Sequence, residues 1–284
     1  MQSLHDIKKR IKSVRETGKI TKAMQLISVA KMRKANEKYE LNARYFERVL
    51  STLKDIITHT EDLTHPYIVS RGDKRAAFLV IASDNGMAGD YNRRVLEFAL
   101  EKIEAEKPAK IYTIGLMARE FFARHGIRTD AQFLYCAQAP SLSDARRIMM
   151  YLVEAFDEGE IDCVKIIYTR HLPEGDVAVS LKALPPDPKE LENVETESNY
   201  TEMLEFEPST AEVFDILVPQ CILGIIYSAL IQSVRCEHNE RMAAMRQASD
   251  NAEEMLGKLE LDFHRARQAA ITTEIAEISS ARTD

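Results

Sequence analysis

The sequence contains no tryptophan, and only 7% of its 284 residues are aromatic. Alanine, methionine, isoleucine and leucine carry most of the apolar content, which suits packed helices better than the inner faces of a β-sandwich. The hydrophobic fraction of 45% is enough to build a sizeable core. The composition therefore predicts a folded protein that is rich in helix.

Cysteine is also sparse. Cys136, Cys163, Cys221 and Cys236 are far apart, with no C-x-x-C pair and no histidine at metal-ligand spacing beside them. This pattern argues against a zinc site or a disulfide framework and favours a reducing cytosol. The seven histidines are scattered and no nucleophile elbow is present, so we expect no catalytic residue, no metal and no cofactor.

The sequence lacks an evident targeting or membrane segment. Its first ten residues are charged and have no apolar h-region. The longest apolar run, residues 216–231, is interrupted by Pro219, Gln220 and Gly224. We therefore expect no stretch of about 18 apolar residues that could cross a bilayer, and any membrane association to be through a partner.

Charge is segregated along the chain, whose formal net charge is −7. Met1 to Glu40 hold eleven basic residues against four acidic ones, whereas Asp187 to Asp215 hold ten acidic residues and one base. The acidic stretch predicts a solvated linker. The basic residues between Met1 and Glu40 form either a solvated helix face or a contact for an acidic protein surface. Nucleic acid is disfavoured by the overall negative charge and the lack of a reading module.

The N-terminal segment has the pattern of one long helix. It contains no proline from Leu4 to His65, and apolar residues recur at three- and four-residue spacing. We predict a helix from Leu4 to about Thr58, roughly 80 Å long, which needs a partner to be stable in water. The apolar positions are Leu4, Ile7, Ile11, Val14, Ile20, Met24 and Ile27.

The C-terminal segment supplies that partner. A capping box at Ser209 to Glu212 predicts a short helical turn, with a restart or kink at Pro219. Beyond it a heptad seam continues for four repeats, so the two end helices are predicted to pair as an antiparallel coiled coil. The seam positions are Met242, Met245, Ser249, Ala252, Leu256, Leu259, Phe263, Ala266 and Ala270.

The middle of the chain alternates strand and helix signals, which predicts an α/β domain. Ala76 to Ala82 is a continuous apolar run, typical of a strand buried on both faces. The other predicted strands are Lys110 to Gly115, Ala131 to Tyr135, Asp162 to Thr169 and Val177 to Leu184, and the predicted helices are Tyr91 to Glu106, 116–125 and Leu142 to Glu158.

The predicted fold class is thus an α/β middle domain plus a long antiparallel coiled coil formed by the N- and C-terminal helices. The predicted divisions are residues 1–65 for the first helix, 66–208 for a Rossmann-like α/β domain with the acidic linker from about 187, and 209–284 for the last helix.

The loop from Ser83 to Asn92 leaves a buried strand and enters a helix, where backbone N–H groups can hold a phosphate. It lacks a Rossmann or P-loop glycine motif, and Asp84 and Asp90 would repel phosphate. A plain turn is the favoured interpretation. A nucleotide-binding enzyme with phosphate at Gly86 to Gly89 and a coiled-coil arm is the alternative, and a basic coiled coil that binds nucleic acid is a third.

Three segments of the two end helices resemble the gamma subunit of F-type ATP synthase. The first is Ile20-Thr21-Lys22-Ala23-Met24, continuing through Ala30 to Ala35. The second contains Glu237-His238, Arg241 to Met245 and Asn251-Ala252, and the third contains Arg265 to Thr272 with Glu274-Ile275 and Glu277-Ile278. Their order, the chain length and the α/β middle extend the resemblance to essentially the whole chain.

The resemblance implies a rotor shaft, or central stalk, that turns inside a ring of alpha and beta subunits and couples ion flow to ATP synthesis or hydrolysis. Its middle domain would lie beside the epsilon subunit and above the c-subunit ring. Such a subunit is bacterial and peripheral, on the cytoplasmic face of the plasma membrane, without membrane insertion and without a cofactor.

The resemblance also implies contact residues. Arg267 and Gln268 match a pair that hydrogen-bonds a beta-subunit loop, and Lys22, Met24, Lys31 and Arg33 would face acidic loops of the ring. Leu204 and Phe206 match the foot on the c ring. The chain departs from the family pattern at Asn85, Met87, Ala88, Asp90 and Tyr91, and its tail is short.

Overall fold

The computed structural model describes residues 4–59, 65–69, 71–72, 74–186 and 209–280. Residues 187–208, which include the predicted foot residues Leu204 and Phe206, lie outside this part of the chain. The helices are α1 (Leu4–His59), α2 (Tyr91–Glu106), α3 (Leu116–Arg124), α4 (Leu142–Asp157) and α5 (Thr210–Ser280). The strands are β1 (Ala76–Ile81), β2 (Lys110–Ile114), β3 (Ala131–Phe133), β4 (Cys163–Leu172) and β5 (Gly175–Leu184).

The chain forms two compact units, and both end helices contribute to each of them. The paired-helix unit comprises Met1–Ala30 and Arg241–Asp284. The α/β unit comprises Lys31–Glu240. The fold class predicted from the sequence is confirmed, while the domain boundaries at 65 and 208 stay a prediction.

One five-stranded sheet organises the α/β unit, in the order β3-β2-β1-β4-β5. The first four strands in this order are parallel, and β5 pairs with β4 antiparallel. The apolar run of β1 is buried on both faces, because Phe78 and Val80 pack in a cluster with α2 and α3. Leu79 and Ile81 face the opposite way and pack in a cluster with α4 and α5.

The first part of α5 is the core helix of this unit, and it does not restart at Pro219 as one of the two predicted outcomes required. The helix continues through Pro219 from Thr210. Phe214, Val218 and Cys221 are fully buried around the proline, and this packing offsets the roughly 3 kcal/mol that an internal proline costs. At the N-terminus, the Ser209 hydroxyl accepts the Glu212 N–H at 3.3 Å, as the capping box predicts.

The same packing explains an unexpected hydropathy. Helix α5 contains an 18-residue window with a mean hydropathy of 1.9, long and apolar enough to cross a bilayer by composition alone. The expectation that no such stretch exists is therefore wrong. However, 67% of that window is buried inside the protein. Its apolar side chains are used by the sheet, which explains why the window is so hydrophobic.

An ion pair joins the residues that immediately precede β1 and β4, at the N-terminal ends of these parallel strands. Asp162 precedes β4 and accepts hydrogen bonds from Arg75, at 3.0 Å from the backbone N, 3.2 Å from Nε and 2.6 Å from Nη2. Its side chain is only 6% exposed. These bonds, chiefly those from the Arg75 side chain, lower the pKa of Asp162 below its ordinary value.

This lowered pKa predicts a pH dependence of stability. A carboxyl with a depressed folded-state pKa stabilises the fold above its unfolded pKa of about 3.9 and loses that effect as the pH falls through the lower folded value. Asp162→Asn should therefore be less stable than the wild type at pH 7, and the gap should narrow below pH of about 4. Urea unfolding from pH 7 downward measures this, and a gap that stays constant with pH would contradict the assignment.

Candidate functional site: the paired helices and their exposed faces

In the paired-helix unit, α1 and α5 run antiparallel with an interface of small residues. An ideal Cβ on Gly18 would lie 3.4 Å from the Ala252 Cβ. The hydroxyls of Thr21 and Ser249 are 2.8 Å apart. Further along, Arg15 Nη2 bonds Glu260 Oε1 at 3.0 Å. Small side chains let the two backbones approach closely here, where large apolar ones would hold them apart.

The seam on α1 corrects part of the sequence prediction. Leu4, Ile7, Ile11 and Val14 are buried or half-buried as predicted, but the pattern then continues through Gly18, Thr21, Gln25 and Ser28. The residues predicted at seam positions instead face outward, with Ile20 61% and Ile27 56% exposed. The seam keeps its heptad spacing on α1, but small and polar residues occupy its positions after Val14. A search for apolar residues at this spacing therefore selects a neighbouring stripe of the helix that faces outward.

The seam on α5 follows the prediction more closely. Met245, Ala252 and Leu259 are buried. Met242, Ser249, Leu256, Phe263 and Ala266 are half-buried between them, whereas Ala270 is exposed. Pairing therefore ends near Ala266.

The two contact pairs also give the register. Residue numbers add to 270 for Gly18 with Ala252 and for Thr21 with Ser249, which places Ala266 opposite Leu4. From Arg267 onward α5 has no described residue of α1 beside it.

This unpaired end of α5, residues 267–280, is called the tip here. Every described side chain from Arg267 to Ala276 is exposed. Thr272 and Thr273 donate their hydroxyls to the carbonyl oxygens of Gln268 and Ala269, at 2.8 and 2.9 Å. The hydroxyls are thereby satisfied within the helix. Ile271 and Ile275 stand exposed on the same stretch, so the tip presents a weakly polar surface.

A second exposed surface is the outward stripe of α1. It consists of Ile20, Ala23 and Ile27, which are exposed at three- and four-residue spacing. Lys22 is exposed and Met24 is half-buried beside it. An apolar stripe that is left uncovered on a paired helix, with a cation beside it, is typical of a partner contact.

A third surface belongs to the α/β unit, where α1 borders a cavity of about 180 Å³. Lys31, Lys34 and Lys38 line it from α1, while Ile231 and Val234 line it from α5. The Lys38 ammonium donates to the Pro140 carbonyl oxygen at 2.9 Å. Arg33 is exposed near Lys31 on the helix. No carboxylate contributes to the lining, so an acidic group is the complementary occupant.

The loop considered for phosphate is arranged differently from a nucleotide site. Asp84 is buried and its Oδ1 accepts the N–H of Leu116 at 3.1 Å and that of Tyr135 at 3.3 Å. A carboxylate therefore already occupies the N-terminus of α3, where an anion would bind. At the N-terminus of α2, Asp90 and Glu240 stand beside Gly89. These charges disfavour the nucleotide alternative.

Comparisons with known proteins agree with this geometry. A family model described as ATP synthase matches residues 3–283. The ATP synthase gamma chain of Alkaliphilus metalliredigens is 38% identical over 284 residues, covering 98% of this chain and 96% of the relative. The gamma chain of Caldanaerobacter subterraneus is also 38% identical, covering 96% and 97%.

Solved structures share the fold at low identity. A rotor chain of the Euglena gracilis mitochondrial ATP synthase superposes with a TM-score of 0.64 at 15% identity, covering 94% of this chain and 98% of that one. A central stalk and c-ring structure from Tetrahymena thermophila gives 0.59 at 18% identity, covering 81% and 99%.

The fold defines the class: a protein with one unit of paired antiparallel helices and one α/β unit, each with exposed apolar or basic surfaces. With the matches over nearly its whole length, the chain belongs to the ATP synthase gamma chain family. It is therefore a subunit of that complex.

Proposed function

We propose that this chain is the central rotor shaft of a bacterial F-type ATP synthase. It turns inside the ring of alpha and beta subunits and couples ion flow to ATP synthesis or hydrolysis. The observation that carries the proposal is the closely packed antiparallel helix pair with its projecting, weakly polar tip, in a chain of the gamma family. A shaft has to transmit torque, and two long helices packed against each other do this better than one.

The proposed partners are those that the family resemblance implies, and the exposed surfaces support some of them. The tip and the outward stripe of α1 contact beta subunits, with Arg267, Gln268, Lys22 and Met24 as contact residues. Lys31 and Arg33 face acidic loops of the ring, which the basic cavity lining supports. Leu204 and Phe206 form the contact with the c ring, and the α/β unit binds epsilon. The chain itself is non-catalytic and peripheral, at the cytoplasmic face of the plasma membrane.

Co-expression tests this proposal directly. A tagged chain is expressed with alpha and beta subunits from the same organism, followed by size determination and an ATPase assay. A large complex with one copy of this chain, and ATPase activity that depends on it, is the expected result. A free monomer that binds ATP by calorimetry would overturn the proposal and favour the nucleotide-binding alternative.

A double substitution tests the tip contact. Both Arg267 and Gln268 are exposed, so Arg267→Ala with Gln268→Ala should leave the chain folded. In the assembled complex, ATP-driven ion pumping should fall about tenfold, the scale of losing one interface hot spot.

The helix offers a matched control for this pair. Arg246 and Gln247 are an exposed Arg-Gln pair lower on α5, and Arg246→Ala with Gln247→Ala should pump normally. Equal losses in the two double variants would contradict the assigned contact.

A further inference from the structure

Four polar residues join α5 to the rest of the α/β unit at the last turn of helix that this unit contains. They are Arg94 on α2, Asp176 at the start of β5, and Asn239 and Glu240 on α5, and we call them the polar clamp. Arg94 Nη2 bonds Glu240 Oε1, and Arg94 Nη1 donates to the backbone oxygen of Asp176 at 3.2 Å. One guanidinium thus connects three elements.

Asp176 completes the connection from the strand side. Its Oδ2 accepts from Asn239 Nδ2 at 3.4 Å, and its Oδ1 lies 2.6 Å from His171 Nδ1. The Asp176 side chain is only 4% exposed. Its backbone and side chain are therefore engaged from three sides, by α2, α5 and β4.

The clamp differs in kind from the contacts on the earlier part of α5. From Phe214 to Val234, α5 packs on the sheet through apolar side chains. The hydrophobic effect itself is non-directional, so resistance to a twist of the helix about its own axis comes there from the close packing of its side chains. A guanidinium that binds acceptors on two different elements has fixed directions and opposes such a twist.

The clamp lies at the end of the part of α5 that belongs to the α/β unit. Cys236, which packs with Ala88 and Tyr91 in a buried cluster, is one turn earlier on α5, and Glu240 is the last residue of the unit. The carboxylate of Glu240 also approaches the loop before α2, because a Cβ on Gly89 would lie 3.2 Å from Glu240 Oε2. The clamp therefore holds α5 where the helix leaves this unit.

We infer that the polar clamp is the torsional anchor of the shaft: Arg94, as a positioning residue, locks the rotation of α5 within the α/β unit so that torque applied to this unit passes into the helix. The inference rests on the proposed rotor function. It predicts that breaking the clamp weakens the coupling between ATP hydrolysis and ion pumping while the complex still assembles and hydrolyses ATP.

The test uses charge reversal in the assembled complex in membrane vesicles. Arg94→Glu and Glu240→Arg are made singly and together, and ATP hydrolysis and ions pumped per ATP are measured. Each single variant should keep its ATPase activity but pump at least about threefold fewer ions per ATP, the scale of a lost coupling contact. The double variant restores the pair between positions 94 and 240 with its charges exchanged, but not the bond to the Asp176 backbone oxygen, so it should recover part of the lost coupling.

A second ion pair on α2 is the matched control. Lys165 on β4 binds Glu106 at 2.6 Å, without either partner lying on α5. Lys165→Glu and Glu106→Lys should lower the melting temperature of the full chain without changing the coupling ratio. If a reversal at the clamp prevents assembly, Arg94→Gln and Glu240→Gln remove the charge without repulsion and should show the same loss of coupling.

The outcomes separate this inference from the rotor proposal. Wild-type coupling in the clamp variants, an equal loss in the control pair, or no recovery in the double variant would overturn the torsional anchor while leaving the rotor function intact. A wild-type complex whose ATPase activity does not depend on this chain would overturn the rotor function first.

Discussion

The Gly115→Ala variant is expected to lose more than about 3 kcal/mol of unfolding free energy, among the larger effects that one substitution produces. Gly115 joins β2 to α3 with a φ of +94°. An alanine Cβ there would lie 2.3 Å from the carbonyl oxygen of Ala82 and 2.7 Å from that of Ser83. Both contacts are with backbone, which cannot rotate away as a side chain would.

The neighbouring structure makes relaxation costly. The Ala82 N–H donates to the Ile114 carbonyl at 3.0 Å, and Ala82 and Ser83 are fully buried. A shift of this strand end would also move Asp84, whose carboxylate binds the first N–H of α3. To relieve the clash, the end of β1, the end of β2 and the start of α3 would all have to shift.

Gly126→Ala is the matched control for the Gly115 experiment. Gly126 also has a positive φ, of +69°, but a Cβ there would meet nothing within 4 Å. It should lose only the roughly 1 to 2 kcal/mol of a left-handed residue. Chemical denaturation followed by circular dichroism measures both. Equal losses would show that backbone conformation, rather than close approach, is the whole cost.

The Gly18→Leu variant is expected to destabilise the paired-helix unit by about 1 to 3 kcal/mol, the usual cost of overpacking. A Cβ added at Gly18 would lie 3.4 Å from the Ala252 Cβ. This is an ordinary van der Waals contact, so alanine fits there. A leucine has to push α1 and α5 apart at this contact, which would also separate the hydroxyls of Thr21 and Ser249.

Two further variants make this second experiment specific. Gly18→Ala should be neutral or stabilising by up to about 1 kcal/mol, because alanine favours helix over glycine. Gly257→Leu lies on α5 with nothing within 4 Å of its Cβ position and should be stabilising. Thermal unfolding at the helical band distinguishes them, and a Gly18→Leu variant as stable as Gly257→Leu would refute the close packing.

Much of the fold was predictable because its periodicities are local. The apolar run of β1 and the helix Tyr91–Glu106 were placed within one residue of their observed ends. The heptad seam of α5 was predictable because Met245, Ala252 and Leu259 are apolar, and these are the residues that the structure buries. The strand predicted at Asp162 to Thr169 extends to Leu172, since hairpin pairing with β5 continues beyond the apolar residues.

The errors have one origin. Ile20 and Ile27 were assigned to the seam by their hydrophobicity, but they are exposed, and Gly18 and Ser28 take the seam positions. Likewise, a restart or kink was predicted at Pro219, but α5 continues through this residue without a restart because it is buried against the sheet. In both cases the outcome depends on which side chains the opposing element presents. The sequence of a single segment does not contain that information.

The sequence by itself determined the element types, the antiparallel pairing of its two ends and the family, because these depend on residue spacing and on motifs within single helices. The tertiary structure alone decided the register of Gly18 against Ala252, the outward position of Ile20 and Ile27, and the clamp that joins Arg94 to Glu240. These features join residues far apart in the chain. Their distances are set by the packing of whole elements, so local patterns leave them open.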